Sequence, residues 1–337
     1  MKVSHQSLAD ALGLSQSTVS RALNGNKRIS DTTRELVRKK AYEMGYFDDA
    51  VALLKEGILP SARPNIGLLL ENICNPFFST IISGVQDHCA LCGYNLLIAN
   101  SNMDVRVEKQ NIENFKQLGV KGLILHTHKS QEYSIQEIAA DIPRVFICDH
   151  KKFGIENSVG IDSTKGIFTA TEYLIQLGHR QIVFIGGSER FSERIEGFQK
   201  AQKEYNIPVK ENSVVYCAPT RIGGYNAVLK LMETLRDFTG IVCVNDFVAF
   251  GVLEGIKKRG FRVPDDYSVI GLDNVEVSSY YGVDLTTVNQ PSYQIGKTAC
   301  ELVLEKIKTN DLDSIVTRIL EYSLVIRKTC RGISPER

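Results

Sequence analysis

At 337 residues the chain is too long for a single hydrophobic core, and two or three domains are expected. A composition of 43% hydrophobic and 23% charged residues excludes a disordered or collagen-like chain, and a net charge of +1 excludes a basic field spread over the whole molecule. No apolar signal-peptide core opens the sequence and no run approaches the ~18 apolar residues of a membrane span, so a cytoplasmic protein is expected.

The charge is unevenly spread. Residues 1–46 hold eight Lys and Arg against four acids, a balance of +4 that leaves −3 for everything after them. A small basic head on a mildly acidic body fits phosphate contact confined to one end. Within that head Leu8, Ala9 and Leu12 repeat at helical spacing. Gly13 is placed to close this helix, because glycine takes a left-handed conformation without a Cβ clash. Ser15 then has the chemistry of an N-cap, its hydroxyl accepting an amide proton from Ser17 or Thr18. Val19, Ala22 and Leu23 face inward along the second helix, leaving Gln16, Ser17, Ser20, Arg21 and Asn24 outward. A short polar set led by an arginine suits a major groove. A third helix is predicted with Ser30 or Asp31 as cap and Leu36, Val37, Ala41 and Met44 buried.

From Leu14 to Ser30 (LSQSTVSRALNGNKRIS) and from Thr33 to Tyr46 (TRELVRKKAYEMGY) the sequence resembles the DNA-binding head of the lactose-repressor (LacI/GalR) family of bacterial transcription regulators. Gln16, Ser17 and Arg21 project from one face of the second helix and are expected to contact base edges, with Thr18, Ser20 and Asn24 on phosphates and Ser15 also assigned to the DNA contact. After the head, Asp49–Gly57 has the pattern of a short helix capped by Asp48 or Asp49, and Pro60 and Pro64 mark a linker. The family has a hinge helix here whose leucine wedges a base step open in the minor groove. This chain departs from that pattern, with Asp49 for the usual asparagine, Leu53 for the arginine, Lys55 at the wedge position and Leu54 one place early.

Beyond Pro64 short apolar strands alternate with amphipathic helices. Strands are predicted at Ile66–Leu70, Asn95–Ala99, Gly122–Leu125 and Val145–Ile147, then at Gln181–Ile185, Val214–Tyr216, Gly240–Val244 and Ser268–Gly271. Such alternation means parallel sheets covered on both faces, and two series mean two doubly wound subdomains. Ligands in such sheets bind beyond the carboxyl ends of the strands. The loops there carry further likeness to the family: Asn75-Pro76-Phe77-Phe78, Arg194-x-x-Gly197-Phe198, Asn245-Asp246, Gly271-Leu272-Asp273-Asn274 and Leu285-Thr286-Thr287-Val288-x-Gln290-Pro291. The resemblance implies an N-terminal all-α helix-turn-helix head (1–46), a hinge and linker (47–63) and an α/β periplasmic-binding-protein-like body (64–337). In that body one subdomain takes 64–161 and 289–322, the other 162–288 and 323–330.

Chemically, Phe77 can lie flat on the apolar face of a ring, Arg194 offers a planar fork of donors, and Asp149, Asp246 and Asp273 offer acceptors. Those groups around one aromatic plate are how vicinal hydroxyls are gripped. Asp273 has a second possible role, holding the crossover loop. His126 and His128 end one strand, and Gly186-Gly187-Ser188 ends another without the surroundings of a nucleophile elbow. His88, Cys89 and Cys92 form a C-x-x-C cluster with no second pair at zinc spacing. No enzyme, cofactor or metal is therefore expected. The expectation is a dimeric, ligand-responsive repressor that binds double-stranded operator DNA and takes a sugar, with a purine or sugar phosphate as the alternative ligand. A solute-binding protein without a DNA role is the alternative from another class.

Overall fold

The computed structural model describes residues 3–23, 26, 29–44, 46, 63–127, 138–148, 156–187, 191–235 and 237–333. It divides into two compact units, Met1–Pro64 and Asn65–Arg337.

In the first unit α1 (His5–Leu12) starts from a reciprocal cap: Ser7 N donates to Ser4 Oγ at 3.2 Å and Ser4 N to Ser7 Oγ at 3.3 Å. Gly13 ends it at φ 63°. The second helix, α2 (Gln16–Leu23), is capped by Ser15, which accepts from Thr18 N at 3.1 Å. The third, α3 (Asp31–Glu43), is capped by Ser30, which accepts from Thr33 N at 3.2 Å. Leu8, Ala9, Val19, Ala22, Leu23, Val37 and Ala41 form the core of this small unit. Leu36 is a correction, since it is 52% exposed rather than buried. The buried stripe of α3 runs from Val37 to Ala41, four residues on, and Leu36 lies about 100° around the helix from Val37. The predicted hinge residues Asp49, Leu53, Leu54 and Lys55 lie outside the described residues.

The second unit holds two six-stranded sheets. In chain order its elements are β1 (Asn65–Leu70), α4 (Pro76–Leu91), β2 (Asn95–Asn100), α5 (Val105–Gln117), β3 (Gly122–Leu125), β4 (Arg144–Ile147) and β5 (Ser158–Gly160). Then come α6 (Ser163–Gln176), β6 (Ile182–Ile185), α7 (Ser192–Glu204), β7 (Val214–Val215), α8 (Arg221–Thr234), β8 (Gly240–Cys243), α9 (Asp246–Lys258) and β9 (Ser268–Asp273). The chain closes with β10 (Thr286–Asn289), α10 (Ser292–Thr309), β11 (Thr317–Ile319) and β12 (Ser323–Val325). The first sheet runs β11-β5-β4-β3-β1-β2, parallel throughout. The second runs β12-β10-β9-β8-β6-β7, with β12 alone antiparallel. Strands β1, β3, β6 and β8 are buried almost end to end, which is why they read as unbroken apolar runs.

The chain passes between the sheets three times, after β5, after β10 and between β11 and β12. All three passages leave from the same edge of each sheet, so they lie side by side, the arrangement of a hinge. On one face of the first sheet α4 packs on α10 at backbone contact. A Cβ on Gly84 would stand 2.1 Å from the Tyr293 carbonyl oxygen.

That contact predicts that Gly84→Ala overpacks the α4–α10 seam and destabilises the body by about 1–3 kcal/mol. Thermal denaturation of the variant should show a clearly lowered midpoint, and an unchanged midpoint would contradict the packing.

Candidate functional site

Two places in the molecule have the geometry of a site. The first is the outward face of α2. The Ser15 hydroxyl lies 2.9 Å from Ser17 Oγ and 2.8 Å from Thr18 Oγ1, fixing the first turn of the helix. Gln16, Ser17 and Arg21 are exposed there, while Thr18 and Ser20 are half-buried against the core. Nothing else among the described residues engages the Arg21 side chain, and its guanidinium projects from the last turn of α2. Asn24, assigned to the same face, lies outside the described residues, as does Leu54.

The second place is the cleft at the carboxyl ends of both sheets. From the first sheet it receives Glu71 after β1, His126 after β3, Cys148 after β4, and Asn75, Phe77 and Phe78 at the start of α4. The second sheet contributes Asn245 after β8, Asp273 at the end of β9, and Phe191, Glu193 and Arg194 where α7 begins. The described residues leave a volume of about 30 Å³ between them.

Local chemistry positions each group. Asn75 caps α4, its Oδ1 accepting from Phe77 N at 3.1 Å, and Pro76 occupies the first helical position, where its missing N–H costs nothing. Phe77 is only 5% exposed; it belongs to the core of the first sheet and lines the cavity as well. Phe78 meets it edge-on at 5.5 Å and meets His126 at 4.8 Å. His126 Nδ1 is 3.8 Å from Glu71 Oε1, with both side chains buried. Across the cleft Arg194 is 6% exposed and donates from Nη1 to the Val244 carbonyl at 2.6 Å. Its guanidinium sits 5.1 Å from the Phe191 ring centroid, and its Nε–H has no partner among the described residues. One fork of donors is therefore held in place while part of its bonding capacity remains open.

Asp273 is 3% exposed and accepts from Gln290 Nε2 at 2.7 Å. It thus both lines the cleft and grips the crossover between β10 and α10. Burial, reinforced by the nearby Asp246 charge and opposed by Arg194, pushes its carboxyl well above the usual carboxylate range.

Asp246 corrects the expectation that it would meet a ligand. Its carboxylate is fully buried and faces the sheet. Oδ2 accepts from Val275 N at 3.0 Å and Ser278 Oγ at 2.6 Å, and Oδ1 from Thr287 Oγ1 at 2.5 Å. Its neighbour Asn245 faces the cavity instead, capping α9 through Oδ1 (2.9 Å from Val248 N) while its amide N–H groups remain to donate. Asp149 and His128 lie outside the described residues. Sequence reasoning missed Glu71, Asn75, Phe191, Glu193 and Asn245. The signal that finds them is position, since each stands just past a strand end or at the start of the following helix.

Comparison with known proteins bears on both places. The model for bacterial regulatory proteins of the lacI family matches residues 6–49, and that for the periplasmic binding protein-like domain matches residues 171–330. The HTH-type transcriptional repressor PurR of Vibrio vulnificus is 32% identical over 334 residues, spanning 97% of this chain and 98% of that protein. The chain belongs to the LacI family. Another relative, the ribose operon repressor of Haemophilus influenzae, is 31% identical over 319 residues, 94% of this chain and 95% of that protein. Among solved structures, a LacI-family regulator from Enterococcus faecium with bound ribose superposes with a TM-score of 0.71 at 27% identity, covering 80% of this chain and all of that one. As a LacI-family member the chain is a DNA-binding transcription regulator and not an enzyme.

The buried state of Asp273 yields a pH prediction. A carboxyl whose value is raised on folding favours the protonated form, so its stabilising influence is complete below the unfolded value near ~4 and is lost as pH rises through the folded value. Asp273→Asn removes this titration and keeps an acceptor for Gln290. Relative to wild type the variant should gain stability from pH ~4 upward, as read from thermal midpoints across that range. A difference independent of pH would contradict the assigned burial effect.

Proposed function

We propose that this regulator is a dimeric repressor whose operator affinity is set by a sugar bound in the cleft between the two sheets. The observation that carries the reading is the pairing of buried Arg194, with an open N–H, and Asp273 against Phe77 across one cavity. A guanidinium, a carboxyl and an aromatic face together match a ring with an apolar face and vicinal hydroxyls. The ribose in the Enterococcus faecium relative and the name of the Haemophilus influenzae one support a sugar.

In this reading Gln16, Ser17 and Arg21 contact base edges, with Thr18, Ser20 and Asn24 on phosphates. Support comes from the exposure of the first three on one face of α2, beside half-buried Thr18 and Ser20. Two heads then read a near-palindrome. Self-association through the first sheet is supported by its free edge at β2, where Ile98 is 46% exposed, and by Leu91 at 81% exposure on α4.

Calorimetric titration with D-ribose, followed by other neutral pentoses and hexoses, tests the cleft. Arg194→Ala should abolish the binding found with wild type, each charge-assisted contact being worth about 1.5–3 kcal/mol, and leave affinity for DNA of the gene's own promoter region intact. Equal affinity of the variant and wild type for the sugar would move the site elsewhere.

A further inference from the structure

The α4–α10 seam holds a feature that neither DNA nor effector binding uses. The two helices touch backbone to backbone: a Cβ on Gly84 would stand 2.1 Å from the Tyr293 carbonyl oxygen, and one on Gly296 would stand 2.2 Å from that of Ile81. About one turn further along each helix, Cys89 Sγ and Cys300 Sγ lie 3.4 Å apart, both side chains wholly buried. A disulfide needs a sulfur separation near ~2 Å. The thiols therefore need to approach by little more than an ångström, within the travel of their side chains. Three residues after Cys89, exposed Cys92 has its Sγ 3.6 Å from His88 Nε2, so the end of α4 that carries the pair reaches the surface.

We propose that Cys89 and Cys300 form a modification site, a thiol pair that a hydroperoxide converts reversibly into a disulfide joining α4 to α10. Either sulfur can donate in the 3.4 Å contact between the two thiols. Cys89, three residues from exposed Cys92 at the end of α4, is the thiol nearer the surface and attacks the peroxide as its thiolate. Its sulfur takes one oxygen, the O–O bond breaks, and the departing oxygen leaves as water after collecting the proton given up by Cys89. Cys300 sulfur then attacks the Cys89 sulfenic acid, the S–O bond breaks, and the hydroxyl leaves as a second water with the Cys300 proton. Two thiols are oxidised by two electrons and one hydrogen peroxide is reduced to two waters. In a reducing compartment such a bond is transient, as suits a signal rather than a staple. Its location gives it consequence, because α4 begins with Asn75, Phe77 and Phe78 on the cleft and α10 follows Gln290, the partner of Asp273.

The test treats the full chain, reduced and then freed of reductant, with hydrogen peroxide, blocks remaining thiols with N-ethylmaleimide, and maps unreduced peptides by mass spectrometry. The expected result is a linked peptide joining Cys89 to Cys300, accompanied by a raised thermal midpoint, both reversed by dithiothreitol. Cys300→Ala should lose the thermal response, whereas Cys74→Ala should keep it. Recovery of Cys89 and Cys300 as separately blocked thiols, with oxidation confined to Cys74 and Cys92 or to cross-links between chains, would overturn the proposal. Because the peptide map is made on the wild-type chain, it decides the matter even if Cys300→Ala folds poorly.

Discussion

A carboxylate with no access to water must find its hydrogen bonds inside the protein or give up its charge. Asp246 finds three, though burial still raises its carboxyl above the ordinary value, and the groups that supply them come from separate parts of the second sheet: Val275 and Ser278 follow β9, and Thr287 lies on β10. The carboxylate at the start of α9 therefore holds the ends of β9 and β10 in fixed relation. That relation places Asn245 and Asp273 on the cleft and Gln290 on the crossover back to the first sheet. Even the absence of a side chain at Gly271 serves this brace, since a Cβ there would stand 2.2 Å from Asp246 Oδ1. The raised carboxyl of Asp273 is a further consequence, with burial as its first cause and the charge of Asp246 as its second.

The cleft is built so that a ligand can matter to the rest of the chain. Its residues come from both sheets, and three adjacent passages are all that join those sheets covalently. A ligand that touches both lobes favours one lobe arrangement over the other, and only such differential contact can shift the balance between them. Asp273 is well placed for this, because the carboxyl that lines the cavity also holds Gln290, the last residue before Pro291 and α10.

How much of this was legible in the sequence follows from how local each cause is. Gly13 and Ser15 were readable because a left-handed residue and an N-cap are set by one or two neighbours, and the structure has both. The buried parallel strands were readable as apolar runs, whereas β5 and β11, three residues each, carry too little pattern to announce themselves. Leu36 was misjudged because helical periodicity allows adjacent apolar residues and only the packed partner decides which one faces in. The Asn245-Asp246 pair failed in a similar way. Asn245 is the extended N-cap and Asp246 the first helical residue, so one meets the cavity and the other the sheet, and the three donors that claim Asp246 lie 29 to 41 positions away. Arg194 and Phe77 carried motifs and stand at strand exits, and both line the cavity.

The central claim is that one cleft in the body governs the grip of the head on DNA, and thermodynamic linkage gives its most direct test. D-ribose, or the neutral sugar that wild type binds, is titrated calorimetrically into the protein alone and into the protein saturated with promoter-region DNA, and DNA affinity is measured with and without that sugar. The account predicts the same ratio in both directions, of about 5–150-fold, corresponding to a coupling of about 1–3 kcal/mol. Sugar affinity that is identical with and without bound DNA would contradict it.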